Sequence, residues 1–249
     1  MRPTVRRKGK KNMTKLSIVV PTYNLGSYLD KTLQTLKQQT VDFELWLVDD
    51  HSTDKTAQVA QAFTAGIPNF HTVVFDHHQG VSVARNFGID HSTADAIAFV
   101  DGDDLVTPDY AQTLIAGFTA GVPAVAVGYE WWRPSDHESD RYETLDQRQM
   151  FDQVSRRGTA VGGYIWNKAY DRQAIEKIGL RFDERLTIAE DYLFTATFVA
   201  KTSGQYRFDP AVKYKKVNRA TSTTHTRSFK DRSVENQIFN RIDEMGRYL

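Results

Sequence analysis

In the N-terminal half of the chain, short β-branched and aromatic runs take turns with stretches whose apolar positions recur roughly every three or four residues. Leu16 to Val20 is a run of the first kind, halted at Pro21, and predicts a strand. Leu25, Leu29, Leu33 and Leu36 then recur at helical spacing behind Asn24, which is read as the helix cap. Phe43 to Val48 predicts a second strand ending in Asp49-Asp50, and Ser52-Thr53-Asp54 caps a helix carried by Val59 and Phe63. Phe70 to Phe75, Val81 to Ile89 and Ala96 to Val100 continue the alternation as strand, helix and strand. Such alternation predicts an α/β fold of βαβ units with a mostly parallel, Rossmann-like central sheet flanked by helices. Ligands in such sheets sit beyond the carboxyl ends of the strands, which puts Tyr23, Asn24, Asp49, Asp50, Asp101 and Asp103 on one rim.

The second half is less regular. Val122 to Val127 predicts a strand running on into Tyr129-Glu130-Trp131-Trp132, and the polar stretch from Arg133 to Arg157 reads as a long loop lying over the site. Asn167 to Ile178 and Ala189 to Val199 have helical character, Tyr206 to Val217 is strand-like, and Phe229 to Tyr248 predicts a terminal amphipathic helix. Its stripe Val234, Ile238, Ile242 and Met245 would pack on the domain or on a second copy, which leaves a homo-oligomer open. Without repeats or a linker, residues 15–249 are read as one domain of two halves, residues 15–104 and residues 105–227, with residues 228–248 forming the last helix.

Composition narrows the function. Of 249 residues, 40% are hydrophobic and 12% aromatic, enough for a real core. Lys and Arg number 32 against 31 Asp and Glu, a net charge of +1, which argues against a nucleic-acid binder. The absence of cysteine excludes disulfides and thiolate chemistry and suits the cytoplasm. Residues 1–14 carry Arg2, Arg6, Arg7, Lys8, Lys10 and Lys11 without the apolar core of a secretory signal. They read as a disordered extension ahead of a second start at Met13, or as a peripheral contact with anionic lipid at the inner face of a membrane.

Chemistry concentrates in Ala96-Ile97-Ala98-Phe99-Val100-Asp101-Gly102-Asp103-Asp104, where a buried strand empties into three carboxylates. Crowded carboxylates raise the cost of ionising one another, and a divalent cation removes that conflict, Mg²⁺ and Mn²⁺ being natural partners of carboxylate oxygen. The plainer reading is a solvated Asp-Gly turn. Tyr23 can stack on a nucleobase and Asp50 can accept a uracil imide N–H, or they can be a core tyrosine and a helix cap. Gly80 opens a helix with Arg85 about one turn in, an arrangement that favours phosphate oxygens, or else Arg85 is an exposed helical residue. Asp191 can serve as general base with Glu190 orienting it, or both can complement a helix dipole. Lys213, Lys215, Lys216, Arg219, Arg227 and Lys230 lie among Ser and Thr residues and can close over a diphosphate, with His225 among them.

Together these segments resemble a family 2 glycosyltransferase of the GT-A fold. The matching pieces are Leu16 to Asn24, Leu45 to Asp54, Gly80 to Gly88, Phe99 to Asp104, Trp166 to Tyr170 and Glu190-Asp191, in the family's order. The resemblance implies an inverting transferase that takes a UDP-sugar, with Mn²⁺ or Mg²⁺, to an acceptor hydroxyl of a glycan, polyol phosphate or lipid-linked sugar. Such acceptors belong to cell-surface polysaccharide, teichoic acid or glycolipid synthesis. Carried over by position, Pro21, Tyr23, Asn24, Asp50, Arg85 and Asp101 would bind the nucleotide. Asp103, with Asp101 and Asp104, would bind the metal, and Asp191 would be the base beside Glu190. Arg219 and Ser222 are further nucleotide-binding assignments in a segment that matches the family only loosely. Two rivals are a haloacid-dehalogenase-like phosphatase using Asp101 as nucleophile, whose motif belongs on the first strand of its core, and a non-catalytic sugar-nucleotide scaffold.

Overall fold

Strand β1 (Leu16–Thr22) is buried along nearly its whole length, because it is flanked on both sides by parallel partners. Its Val19 lies opposite Trp46 of β2 (Glu44–Asp49) and Phe99 of β4 (Ala96–Phe99), while β2 pairs in turn with β3 (Phe70–Val74). The computed structural model describes residues 15–131, 141–218 and 229–249. Among these, nine strands join one sheet in the order β3-β2-β1-β4-β8-β6-β9-β5, with β7 paired to β9. The parallel character read from the sequence holds from β3 through β4. Beyond it, β8 (Lys168–Asp171) runs antiparallel to β4 and to β6 (Ala124–Glu130). Strand β9 (Tyr206–Lys215) is parallel to β6 but antiparallel to β5 (Leu105–Val106) and β7 (Glu143–Leu145).

The helices of the first half fall where the apolar periodicity puts them. Helix α1 (Ser27–Lys37) buries Leu29, Leu33 and Leu36, and α2 (Thr56–Thr64) and α3 (Val81–His91) follow β2 and β3. Asn24 does not cap α1. Its side-chain oxygen accepts the Thr53 N–H at 2.8 Å, and the chain enters the helix through Gly26 at φ 55°. The first N–H groups of that turn are met from the next loop, Leu25 donating to Thr56 Oγ1 and Gly26 to Asp54.

Two expectations for the second half change, and one left open is settled. Asn167 to Ile178 is helical only in α6 (Arg172–Lys177), capped by Asp171, whose carboxylate accepts the Ala174 N–H at 2.7 Å. The preceding residues form β8, in which Ala169 pairs with Ala98 of β4 on one side and Val125 of β6 on the other, in the middle of the sheet. The stretch read as a loop from Arg133 to Arg157 contains β7 and α5 (Gln147–Val154). Helix α5 is set by a capping box between Asp146 and Gln149 and buries Met150, Phe151 and Val154. The stripe of α8 (Phe229–Gly246) is covered by the protein itself, Ile238 and Ile242 being buried and Val234 and Met245 packed against the same core. That stripe is therefore not a free surface for a second copy. The remaining helices are α4 (Tyr110–Gly117) and α7 (Glu190–Lys201). Among the described residues no helix is long and apolar enough to cross a membrane.

Helix α3 packs directly on β1. A Cβ placed on Gly88 would run into both methyl groups of Val19, a stiff and fully buried side chain. Gly88→Ala is therefore expected to destabilise the fold by about 1–3 kcal/mol. A urea midpoint equal to that of the parent protein would show that α3 sits off the sheet.

Candidate active site

The carboxyl ends of β1, β2 and β4 meet at one rim, and the structure sorts its residues by what they touch. Asp49 is a structural group: its carboxylate accepts Thr22 Oγ1, the Ser52 N–H and Ser52 Oγ at 2.7–2.9 Å. Pro21 lies within β1, paired with Val48, and Asn24 ties the first rim turn to Thr53. Asp50 is buried yet points to the turn before α3, accepting the N–H groups of Gln79 and Gly80, each at 2.7 Å. Tyr23 stands out from the rim, 42% exposed, with the His78 ring stacked on it at 4.3 Å.

Beyond β4, Asp101, Asp103 and Asp104 bring one carboxylate oxygen each within 4.8 Å of the others. Asp104 is fully buried and heavily used. Tyr214 donates to one of its oxygens at 2.6 Å and Lys216 at 2.9 Å, and the Val217 N–H reaches the other at 2.7 Å. Burial, with Asp101 and Asp103 adding to it against the pull of Lys216, pushes the Asp104 carboxyl up to about 7. Asp101 goes the other way. Burial alone would raise it, but Lys216 at 2.8 Å and Arg85 at 3.1 Å hold it down at about 2. The site thus presents oxygen donors only, at a spacing that fits a hard divalent cation. Both Asp101 oxygens are met by Arg85 and Lys216, and both Asp104 oxygens by Tyr214, Lys216 and the Val217 N–H, so a cation held here would share these carboxylates with the donors already on them.

Arg85 is neither exposed nor turned out toward a phosphate. Its guanidinium is buried between Glu190 Oε1 at 2.8 Å and Asp101 Oδ1 at 3.1 Å. Burial opposes its charge, but Asp101, Glu190 and Asp191 outweigh that and raise its pKa further. The chain turns into α7 through Ala189 in the left-handed region at φ 56°, which sets Glu190 and Asp191 at the helix start. Asn24 and His51 take the same left-handed conformation, at φ 47° and 66°. Burial, followed by the charge of Glu190, pushes the Asp191 carboxyl up to about 7, where a carboxylate is a competent base near neutrality.

Sequence reasoning missed several residues. Tyr214 reads as an ordinary apolar strand position, and its role shows only when β9 is laid beside the acidic turn. Lys216 stood among the basic residues after Lys213, but nothing in its spacing assigns it to Asp101 and Asp104. Lys168 is fully buried, and its ammonium donates to Val161 O, Tyr164 O and Asn167 Oδ1. Burial pushes its pKa well below the usual lysine range. Its place in Trp166-Asn167-Lys168 was the available signal. Arg219, Ser222, His225 and Arg227, like residues 1–14, lie outside the described residues.

A parallel nucleotide-type half joined through an acidic rim to an antiparallel half is the architecture of a GT-A glycosyltransferase. Residues 1–349 of S. aureus TarS, solved with UDP-GlcNAc, superpose with a TM-score of 0.72 at 21% identity, covering 90% of this chain and 65% of that one. The mannosyltransferase PcManGT from Pyrobaculum calidifontis, solved with GDP-Man and Mn²⁺, gives a TM-score of 0.64 at 20% identity, covering 85% of this chain and 59% of that one. The chain belongs to glycosyl transferase family 2, whose profile matches residues 17–179. The Bacillus subtilis glycosyltransferase EpsJ is 30% identical over 189 residues, which is 72% of this chain and 54% of EpsJ. The chain spans about half the length of the curated relatives it matches. Family membership leaves the phosphatase reading of Asp101 without support.

The Asp191 shift has a consequence for stability. Unfolded, Asp191 titrates near 3.8, and folded near 7, so the folded state holds the extra proton in between and stability falls as pH rises through that window. Asp191→Asn cannot ionise. It is expected to melt higher than the parent at about pH 8, with the gain shrinking toward about pH 4. A gap that stays constant across that range, measured by thermal denaturation, would contradict the assignment.

Proposed function

We propose that this protein transfers a sugar from a UDP-sugar to an acceptor hydroxyl with inversion at the anomeric carbon, with Mn²⁺ or Mg²⁺ bound at the acidic turn. The observation that carries this reading is the buried Arg85 bridge, which joins the carboxylate turn of Asp101 and Asp103 to the Glu190-Asp191 pair across one rim. Donor and acceptor chemistry must meet at such a place. Support comes from TarS, solved with UDP-GlcNAc and with UDP, and from PcManGT, solved with GDP-Man and Mn²⁺.

In this reading Tyr23 stacks on the base, Asp50 accepts its imide N–H, and Asp101 and Asp103 hold the cation. The bound cation would neutralise charge developing on the leaving diphosphate. Asp191 takes the proton of the acceptor hydroxyl as that oxygen attacks from the face opposite the diphosphate, and Glu190, fixed by Arg85, orients it. A single displacement gives inversion. The acceptor is a surface glycan, polyol phosphate or lipid-linked sugar, reached from the cytoplasmic face, and residues 1–14 add a basic contact with the membrane.

Thermal shift with UDP, GDP, CDP and dTDP, with and without Mn²⁺, tests the donor site. UDP is expected to stabilise the protein in a metal-dependent way, and Asp103→Ala to abolish the metal dependence; no response to any nucleotide would refute the donor assignment. Tyr23→Ala is expected to weaken UDP binding by about 1–3 kcal/mol, as measured by calorimetry, and an unchanged affinity would remove the ring from the base site. Asp191→Asn should keep UDP affinity while transfer falls by about 10²–10⁴. Loss of UDP binding in that variant would show a donor-side role instead.

A further inference from the structure

The segment 75–80 joins β3 to α3 and returns to the rim, where the His78 side chain makes two contacts at once. Its ring lies on Tyr23, with centroids 4.3 Å apart and planes 26° apart. Its Nδ1 lies 2.8 Å from Asp50 Oδ2 and 3.4 Å from the Asp50 carbonyl oxygen. Both neighbours of Nδ1 are acceptors, so this nitrogen carries the proton and donates to the carboxylate. A flat ring on Tyr23 with a ring N–H aimed at Asp50 is the pair of contacts assigned above to the uracil of the donor.

We propose that His78 is a built-in surrogate for the nucleobase: the imidazole occupies the base subsite of the free protein, and the nucleotide binds by displacing it. This inference rests on the nucleotide reading of the rim. The geometry favours exchange over permanent blockage. The His78 side chain is 53% exposed, so it has solvent to swing into. The turn that carries it is held separately, by the Gln79 and Gly80 N–H groups on Asp50, and stays in place when the ring leaves. Rotation costs one ring stack and one hydrogen bond to a carboxylate, and a base that enters restores both. Asp50 keeps its two backbone donors throughout, so the oxygen that His78 gives up is the one the base takes. The surrogate therefore lowers the apparent affinity for every nucleotide by the fraction of time the subsite is open.

Calorimetric titration of the parent, His78→Ala and His78→Phe with UDP tests this. Removing the imidazole is expected to tighten UDP binding by about tenfold, the ratio of closed to open subsite that a stack and one charged hydrogen bond would maintain. His78→Phe keeps a ring for Tyr23 but loses the N–H, and should fall between the other two. Equal or weaker binding by His78→Ala would overturn the proposal, weaker binding meaning that the imidazole instead covers the second face of a bound base. If neither the parent nor His78→Ala binds UDP, GDP, CDP or dTDP, the nucleotide reading itself fails, and the surrogate with it. Binding by His78→Ala alone would support both. A second readout is independent of affinity. The His78 ring-proton resonance, identified by its absence in His78→Ala, should be shifted upfield by Tyr23 in the free protein and move toward its unstacked position as UDP is added. A resonance that stays upfield at saturation would overturn displacement.

Discussion

A single buried guanidinium holds the working parts of this molecule in register. Arg85 sits between Asp101, just beyond the end of a central strand, and Glu190, at the start of a helix 105 residues further along the chain. Taking three charges out of water is costly, and the attraction between them repays that cost only when all three are present. Arg85 is the member on which the link depends: without it Glu190 loses its cation, while Asp101 keeps only Lys216. What it secures is relative position: the acidic turn cannot drift from the Glu190-Asp191 pair while it stands.

The same logic extends along the rim in weaker form. Lys216 lies between Asp101 and Asp104 and lets two carboxylates share a small space, while Tyr214 and the Val217 N–H complete the hydrogen bonding of Asp104. The two aspartates respond in opposite directions. Asp101, with cations on both sides, stays ionised, and Asp104, at the bottom of the turn, resists ionisation. One acidic turn thus contains a fixed anion and a group that titrates near neutrality, a difference set by solvent access and neighbours rather than by residue type.

The first half of the fold was legible because each strand and helix announces itself through its own local pattern. The β-branched run of β1 and the leucine spacing of α1 needed no tertiary context. The second half was less so, because its elements are decided by partners. Lys168 to Asp171 has only Tyr170 as a strand-favouring residue, and becomes a strand because β4 and β6 leave a slot there. For the candidate site, the carboxylates could be named from their position after apolar runs. The partners of the cations that organise them could not. Arg85 reads as a phosphate ligand or an exposed helical residue rather than as the partner of Asp101 and Glu190, and Lys216 reads as one more basic residue after β9. Their roles arise from contacts across wide sequence separations, which composition and period do not encode.

Among the described residues, the non-glycine residues Asn24, His51 and Ala189 hold left-handed backbone conformations, and all three lie at turns that lead into or out of the rim. Each costs roughly 1–2 kcal/mol relative to a relaxed backbone, and glycine at the same place would be spared most of that strain. Glycine would also free the turn to wander, and these turns carry Tyr23, Asp50 and Asp191. Rigidity at the rim is thus obtained at the expense of folding stability. The molecule is least relaxed where its side chains must be aimed most accurately, so selection for heat resistance alone would tend to erode aim at these turns first.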